Sequence, residues 1–120
     1  MIRKHTISFK HAFDGLIIAF STQPNYRIHL FLSLLSIGGG LVFHVRYEEF
    51  LVIGVLITVG LVIETINTAI EETCDAIDEA IRPDIKIAKD TSAAAMLIFA
   101  IGSSVLAAFI FVPRIISLFL

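Results

Sequence analysis

Residues 50–75, FLVIGVLITVGLVIETINTAIEETCD, decide how this chain folds. The first 14 of them, residues 50–63, contain no Asp, Glu, Lys or Arg, and acidic and amide side chains recur from Glu64 onward. A helix needs about 20 residues to cross the hydrocarbon core of a bilayer. This segment can therefore cross a membrane only if its helix continues through Glu64, which predicts a carboxylate inside or at the edge of the bilayer.

The composition of the whole chain agrees with a membrane location. Of 120 residues, 57% are hydrophobic and 17% are charged, and the mean hydropathy is +0.90. Soluble domains carry about 25% charged residues, so the composition excludes a soluble enzyme and a disordered chain. It predicts an all-α integral membrane protein with one domain, residues 1–120. The net charge of −2 gives no support for a nucleic-acid partner, and one cysteine excludes an internal disulfide.

Windows without charged residues set the expected membrane spans, at about residues 28–46, 49–74 and 91–113. Seven of the nine basic residues precede the first span or lie between the second and third. The positive-inside rule then predicts a multi-pass protein of the bacterial cytoplasmic membrane with a cytoplasmic N-terminus. Three short helices shield a buried carboxylate poorly, so we also expect a homo-oligomer.

An amphipathic helix is expected at about residues 7–22, before the first span. Phe9, Phe13, Leu16, Ile17 and Phe20 share one face of it. Such a helix beside a span is typical of an interfacial helix lying in the headgroup region. A helix packed on the ends of the bundle is the alternative.

Glu64, Asn67, Glu71 and Asp75 form an acidic stripe on the second span, at intervals of 3, 4 and 4 residues. At 100° per residue they lie within roughly 80° of one another on a helix. Like charges so placed repel unless a cation or another partner neutralises them. The stripe suits binding of a hard cation such as Mg²⁺, and it equally suits a general base facing a lipid alcohol. Periodicity alone leaves both open.

Lys89 and Asp90 stand where the third span is expected to begin. Lys89 could neutralise the stripe or contact a phosphate. Asp90 close to a helix start is also ordinary, favourable capping.

Several motifs together resemble the small prokaryotic diacylglycerol kinase and undecaprenol kinase family. They are FKHAFxG at residues 9–15, NYRIH at 25–29, ExxNTAIExxxD at 64–75, AKD at 88–90 and AAAML at 93–97. The resemblance implies an interfacial helix and three transmembrane helices, assembled as a homotrimer with active sites shared between protomers. It also implies transfer of the ATP γ-phosphate to a lipid hydroxyl at the cytoplasmic membrane surface, with Mg²⁺.

The resemblance assigns roles to residues of the stripe and its surroundings. Glu64 matches the general base, with Asn67 beside it, and Glu71 matches a metal-binding glutamate. Lys4, Lys89 and Asp90 match nucleotide-contacting positions. Asp75 and Glu72 are expected to support the site.

Gln23 departs from the family, which often has a second metal-binding glutamate at this position. An amide oxygen carries no charge, so metal affinity is expected to fall, and a weakened kinase or a catalytically silent subunit is one alternative. A small transporter that uses Glu64 for substrate and protons is another. The NYRIH motif and residues 111–113 favour undecaprenol over diacylglycerol as the lipid.

Overall fold

A computed structural model describes the backbone of residues 2–78, 80 and 82–120, and the side chains from Ser8 onward within those ranges. Every regular element in this part of the chain is helical, which confirms the all-α prediction. The helices are α1 (Ile2–Thr22), α2 (Pro24–Val42), α3 (Tyr47–Ile77) and α4 (Pro83–Ile116).

The helices differ from the expected segments at their ends. Helix α1 begins about five residues before position 7, while α3 and α4 extend beyond 49–74 and 91–113 at both ends. Charged residues favour helix as well as apolar ones do, so a helix continues past the apolar window that signals it. Asp90 consequently lies well inside α4, and the interpretation that it caps the start of a helix is wrong. The bounds of each segment within a bilayer stay predictions.

Helix α2 ends four residues earlier than expected, because the chain turns at His44. The amide of Val45 donates to the carbonyl of Gly40 (3.0 Å), and the amide of His44 donates to that of Leu41 (3.3 Å). This is a Schellman motif. It needs a left-handed residue after the cap, and His44 supplies it with φ of 49°. Residues 43–46 therefore form the turn into α3.

Two helices, α3 and α4, are long and apolar enough to cross a membrane. Only 17% of the most apolar stretch of α3 and 6% of that of α4 is buried within the chain. A core helix of a soluble protein would be mostly buried, so these faces need lipid or another subunit to cover them. Helix α2 is less apolar, because Asn25, Arg27 and His29 lie in its first two turns.

Helix α3 is the centre of the fold, with α2 and α4 packed against it. Near the α2–α3 turn, Val45, Ile53 and Ile110 form a small buried cluster. There Phe111 of α4 reaches α2, 3.2 Å from where a Cβ on Gly39 would lie. Nearer the other end, His29 of α2 packs on Phe99 of α4, and the chain is 21 Å thick in its smallest dimension.

Polar contacts fix the antiparallel register of α3 and α4 at both ends. At the turn end, Arg114 donates to both carboxylate oxygens of Glu49, at 3.1 and 2.5 Å. At the other end, Lys89 donates to Asp75 at 2.7 Å. These two ion pairs set which residues of α4 face the acidic stripe.

The apolar face of α1 remains largely uncovered by the rest of the chain. Phe9 is 78% exposed and Phe13 is 63% exposed. Packing of this face on the bundle of the same chain is therefore not observed, and an interfacial position stays the favoured prediction.

Candidate active site

Glu64 is the most buried large side chain in the described part of the molecule, with 2% of its surface exposed. Its backbone carbonyl accepts a hydrogen bond from Thr68 at 3.0 Å. Its carboxylate accepts none from any residue whose side chain is described. No described side-chain oxygen is both sealed from solvent and without a partner, so the oxygens of this carboxylate remain open to solvent although the rest of the side chain is covered. A carboxylate with so little access to water is costly, and its position calls for a functional explanation.

A cleft of about 220 Å³ opens onto Glu64 between α2 and α4. Asn25 and His29 line it on the α2 side, and Met96 and Leu97 line it on the α4 side. The cleft adjoins a larger groove of about 400 Å³, since Ile28, His29 and Ala100 line both. The groove follows α2 and α4 toward Phe111, and its lining is mostly apolar.

Two of the four serines that line the larger groove turn their hydroxyls toward their own helices. Ser33 donates to the carbonyl of His29 at 2.7 Å, and Ser103 donates to that of Ala100 at 3.2 Å. These bonds to their own helices satisfy the hydroxyl donors. The groove therefore presents a predominantly apolar surface that leads to one carboxylate.

Asn67 and Glu71 are linked along α3, as the spacing of the stripe predicts. Asn67 Nδ2 donates to Glu71 Oε1 at 3.3 Å. On its other side, Asn67 Oδ1 accepts a hydrogen bond from Ser92 of α4. Asn67 and Ser92 are both buried, whereas Glu71 is half-buried. Glu71 therefore keeps its second carboxylate oxygen for another partner.

Asp75 and Lys89 form the surface end of the stripe. Their hydrogen bond raises the pKa of Lys89 above its ordinary value, and the nearby charge of Glu71 adds to the effect. Lys89 thus stays cationic at neutral pH beside two carboxylates. Asp90 is not part of this group, because it is exposed and pairs with Lys86 one turn away on α4.

The donor set fits a magnesium ion carried with a nucleotide better than a metal held by protein alone. Among the described side chains, no group of three or more His, Cys, Asp or Glu could hold a metal. Mg²⁺ is typically bound by one or two carboxylates together with waters and substrate phosphates. Glu71, with its free oxygen, meets that requirement, and Glu72 is exposed beside it.

For two further predicted site residues the structure gives no contact with the stripe: Gln23 makes none among the described side chains, and Lys4 cannot be assessed. Gln23 precedes α2 as its N-cap, and its side chain makes no capping hydrogen bond. Lys4 lies outside the residues whose side chains the structure describes.

Three residues at this site were not predicted from the sequence to take part. Ser92 lies three positions after Lys89 on the same face of α4, a spacing that could have identified it. His29 packs on Phe99, with ring centroids 6.1 Å apart, and it also lines the cleft. Phe99 itself had no distinguishing signal in an apolar helix.

A family model for prokaryotic diacylglycerol kinase matches residues 10–111, a range that contains the whole acidic stripe and residues 88–90. The chain belongs to the prokaryotic diacylglycerol kinase family. This confirms the family predicted from the motifs.

Two relatives are lipid kinases by name, in agreement with the predicted enzyme class. The undecaprenol kinase of Bacillus subtilis is 32% identical over 108 residues, which cover 90% of this chain and 88% of the relative. The diacylglycerol kinase of Synechocystis is 31% identical over 113 residues, which cover 93% of this chain. The match spans 65% of the length of the Synechocystis kinase.

Proposed function

We propose that this protein transfers the γ-phosphate of ATP to the hydroxyl of a membrane lipid alcohol, in a magnesium-dependent reaction at the cytoplasmic membrane surface. The observation that carries the proposal is the Glu64 side chain, which is buried, accepts no hydrogen bond at its carboxylate from a described residue and borders a cleft next to an apolar groove. A lipid chain in the groove would bring its hydroxyl to this carboxylate.

The position of Glu64 along α3 supports its role as the base. A hydrocarbon core of about 20 helical residues that starts at Phe50 ends near residue 69. Glu64 then lies about 8 Å inside the edge of the core, and Glu71 lies just outside it. On this assumption the proposed base lies within reach of the hydroxyl of a lipid whose chain is in the bilayer, and the proposed metal-binding carboxylate lies on the side of a water-soluble nucleotide.

The chemical step needs only one proton acceptor from the protein. The lipid hydroxyl loses its proton to Glu64, its oxygen forms a bond to the γ-phosphorus, and the bond from that phosphorus to the β-γ bridging oxygen breaks, releasing ADP. Glu64 and Glu71 are seven residues apart, about 10 Å along the helix. That separation leaves room for a phosphoryl group between them.

Glu71 is the proposed magnesium ligand, with Asp75 and Glu72 as supporting acids. Magnesium bound with ATP supplies neutralisation of the phosphate charge, which dominates catalysis of phosphoryl transfer. Lys89, held as a cation by Asp75, is suited to contact the nucleotide phosphates. Lys4 and Asp90 are proposed nucleotide contacts from the family motifs alone.

Undecaprenol is the favoured lipid and diacylglycerol the alternative. The NYRIH motif at residues 25–29 supports this choice. So does the share of the relative's length that the match covers, which is 88% for the undecaprenol kinase of Bacillus subtilis and 65% for the diacylglycerol kinase of Synechocystis. Because the groove is mostly apolar, its lining does not distinguish isoprenoid from acyl chains.

We further propose that the protein is a multi-pass homotrimer with its N-terminus in the cytoplasm and α2 as a third span. Exposed apolar side chains on α4, such as Ile98 and Phe109 at 73% and 75% exposure, need lipid or a second protomer against them. Sharing of active sites between protomers would also cover the stripe.

The test is a phosphorylation assay on the purified protein in mixed micelles, with labelled ATP, Mg²⁺ and either undecaprenol or diacylglycerol. Glu71→Gln removes the charge of the proposed magnesium ligand, so we expect turnover to fall at least about 10-fold. Glu48→Gln is the matched control, since it removes the same charge at an exposed position at the other end of the same helix.

Two outcomes would contradict the proposal. If Glu71→Gln has wild-type turnover, Glu71 is not a magnesium ligand. Absence of turnover on both lipids, together with no thermal protection by ATP and Mg²⁺, would favour a transporter or a silent subunit, because ligands stabilise the state that binds them.

A further inference from the structure

We infer that Ser92 is a positioning residue for the magnesium site, acting on Glu71 through the amide of Asn67. The inference rests on the proposed function, because it assumes that Glu71 is the magnesium ligand. It is carried by two hydrogen bonds in series, from Ser92 Oγ to Asn67 Oδ1 and from Asn67 Nδ2 to Glu71 Oε1.

The chemistry of the three groups allows one arrangement. A carboxylate only accepts hydrogen bonds, so the amide atom that faces Glu71 is the NH₂ group. The amide oxygen must then face α4, where the Ser92 hydroxyl donates to it. Ser92 therefore fixes the orientation of the Asn67 amide.

Burial makes this orientation matter. Ser92 is 8% exposed and Asn67 is 7% exposed, so water replaces a lost partner poorly. Without the serine hydroxyl, the amide oxygen would lose its donor. The amide could then rotate and present its oxygen to the Glu71 carboxylate, acceptor against acceptor.

The consequence for Glu71 is the choice of oxygen that is free for the metal. Asn67 holds Oε1 at 3.3 Å, so Oε2 is left for magnesium. Partners that orient a metal ligand in this way change metal affinity by about 10–100-fold when they are removed. Ser92 belongs to a different helix from Glu71, so the packing of α3 against α4 is coupled to the geometry of the metal ligand.

The experiment measures the Mg²⁺ dependence of Ser92→Ala, Ser92→Thr and a matched control, Ser117→Ala. Ser117 caps the far end of the same helix, and its hydroxyl donates to the carbonyl of Arg114 at 2.7 Å. For Ser92→Ala we expect the Mg²⁺ concentration at half-maximal turnover to rise about 10-fold, with an unchanged KM for the lipid. Ser92→Thr keeps the hydroxyl and should restore wild-type dependence.

A second readout does not depend on turnover. A non-hydrolysable ATP analogue should protect the protein against thermal unfolding when Mg²⁺ is added. The Mg²⁺ concentration that gives half of this protection should be higher in Ser92→Ala by the same factor. Should Ser92→Ala fail to fold, Ser92→Cys keeps the side-chain volume with a weak donor and should shift in the same direction.

The results separate this inference from the proposed function. Suppose that Glu71→Gln loses magnesium-dependent turnover while Ser92→Ala keeps the wild-type Mg²⁺ dependence. The role of Ser92 is then overturned, and the proposed function stands. Ser92→Cys replaces Ser92→Ala in this comparison if the alanine variant does not fold. If Ser92→Ala changes the lipid dependence and the Mg²⁺ dependence equally, and Ser92→Thr does not restore them, Ser92 has only a structural role. That result would also overturn the inference. Wild-type behaviour of Glu71→Gln overturns the proposed magnesium ligand itself.

Discussion

Replacement of Glu64 by glutamine should separate stability from activity. Glu64→Gln keeps the shape and polarity of the side chain but removes its charge and its basicity. A charged carboxylate at the centre of a membrane helix costs about 2.5–3.5 kcal/mol. Glu64 is expected to lie within two turns of the membrane edge, and it is 2% exposed with no described donor. We therefore expect a gain of roughly 1–2 kcal/mol in the free energy of unfolding, about half the cost at the centre.

Turnover should change in the opposite direction. Removing a general base typically lowers the rate about 10²–10⁴-fold, while binding of ATP, which involves residues outside the membrane core, should be unaffected. The assays are lipid phosphorylation at saturating ATP and Mg²⁺, and unfolding by titration of detergent micelles with SDS. Glu48→Gln is the matched control, because it removes an exposed carboxylate at the other end of the same helix.

Either half of this result can refute the reasoning. Wild-type turnover by Glu64→Gln would show that the carboxylate does not accept the hydroxyl proton. A loss of stability relative to Glu48→Gln would show that the carboxylate is stabilised where it lies, for example by a neighbouring protomer.

Three smaller predictions test the fold and the departure from the family. Gly60→Ala should unfold more easily than Gly54→Ala by about 1–3 kcal/mol, since its Cβ would lie 2.7 Å from the Phe99 ring and that of Gly54 has nothing within 4 Å. His44→Gly should raise the free energy of unfolding by about 1 kcal/mol, because it relieves the left-handed backbone; a decrease would argue against strain. Gln23→Glu should lower the Mg²⁺ requirement of turnover about 10-fold, and an unchanged requirement in both Gln23→Glu and Gln23→Ala would exclude a metal ligand there.

Periodicity and charge predicted the main elements because they are properties of a single helix. The spacing of Asn67 and Glu71 implies a shared face, and the hydrogen bond between them agrees. The end of α2 was missed, because the apolar window continues to Val45 while the turn depends on the left-handed conformation of His44. Histidine adopts that conformation too rarely to be predicted.

The hydrogen bond between Ser92 and Asn67 on different helices could not be predicted from the sequence, for a different reason. Ser92 lies in a run of small residues, SAAA at 92–95, where a serine looks like a packing residue. Its partner Asn67 is 25 positions away, and the register of α3 against α4 decides that they meet. Of the two ion pairs between these helices, Lys89 with Asp75 agrees with the expectation that Lys89 could neutralise the stripe, whereas Arg114 with Glu49 was not predicted.

The length of α3 gives a physical reason for the order of the acidic residues. The helix has 31 residues, about 46 Å, and the hydrocarbon core is about 30 Å thick. A helix of this length that crosses a bilayer extends from the lipid phase into water. The proposed phosphoryl transfer between an insoluble alcohol and a soluble nucleotide needs a base in one phase and cation-binding acids in the other. One continuous helix would hold Glu64 and Glu71 at a fixed spacing of about 10 Å for this purpose, so the proposal requires no domain closure to bring the substrates together.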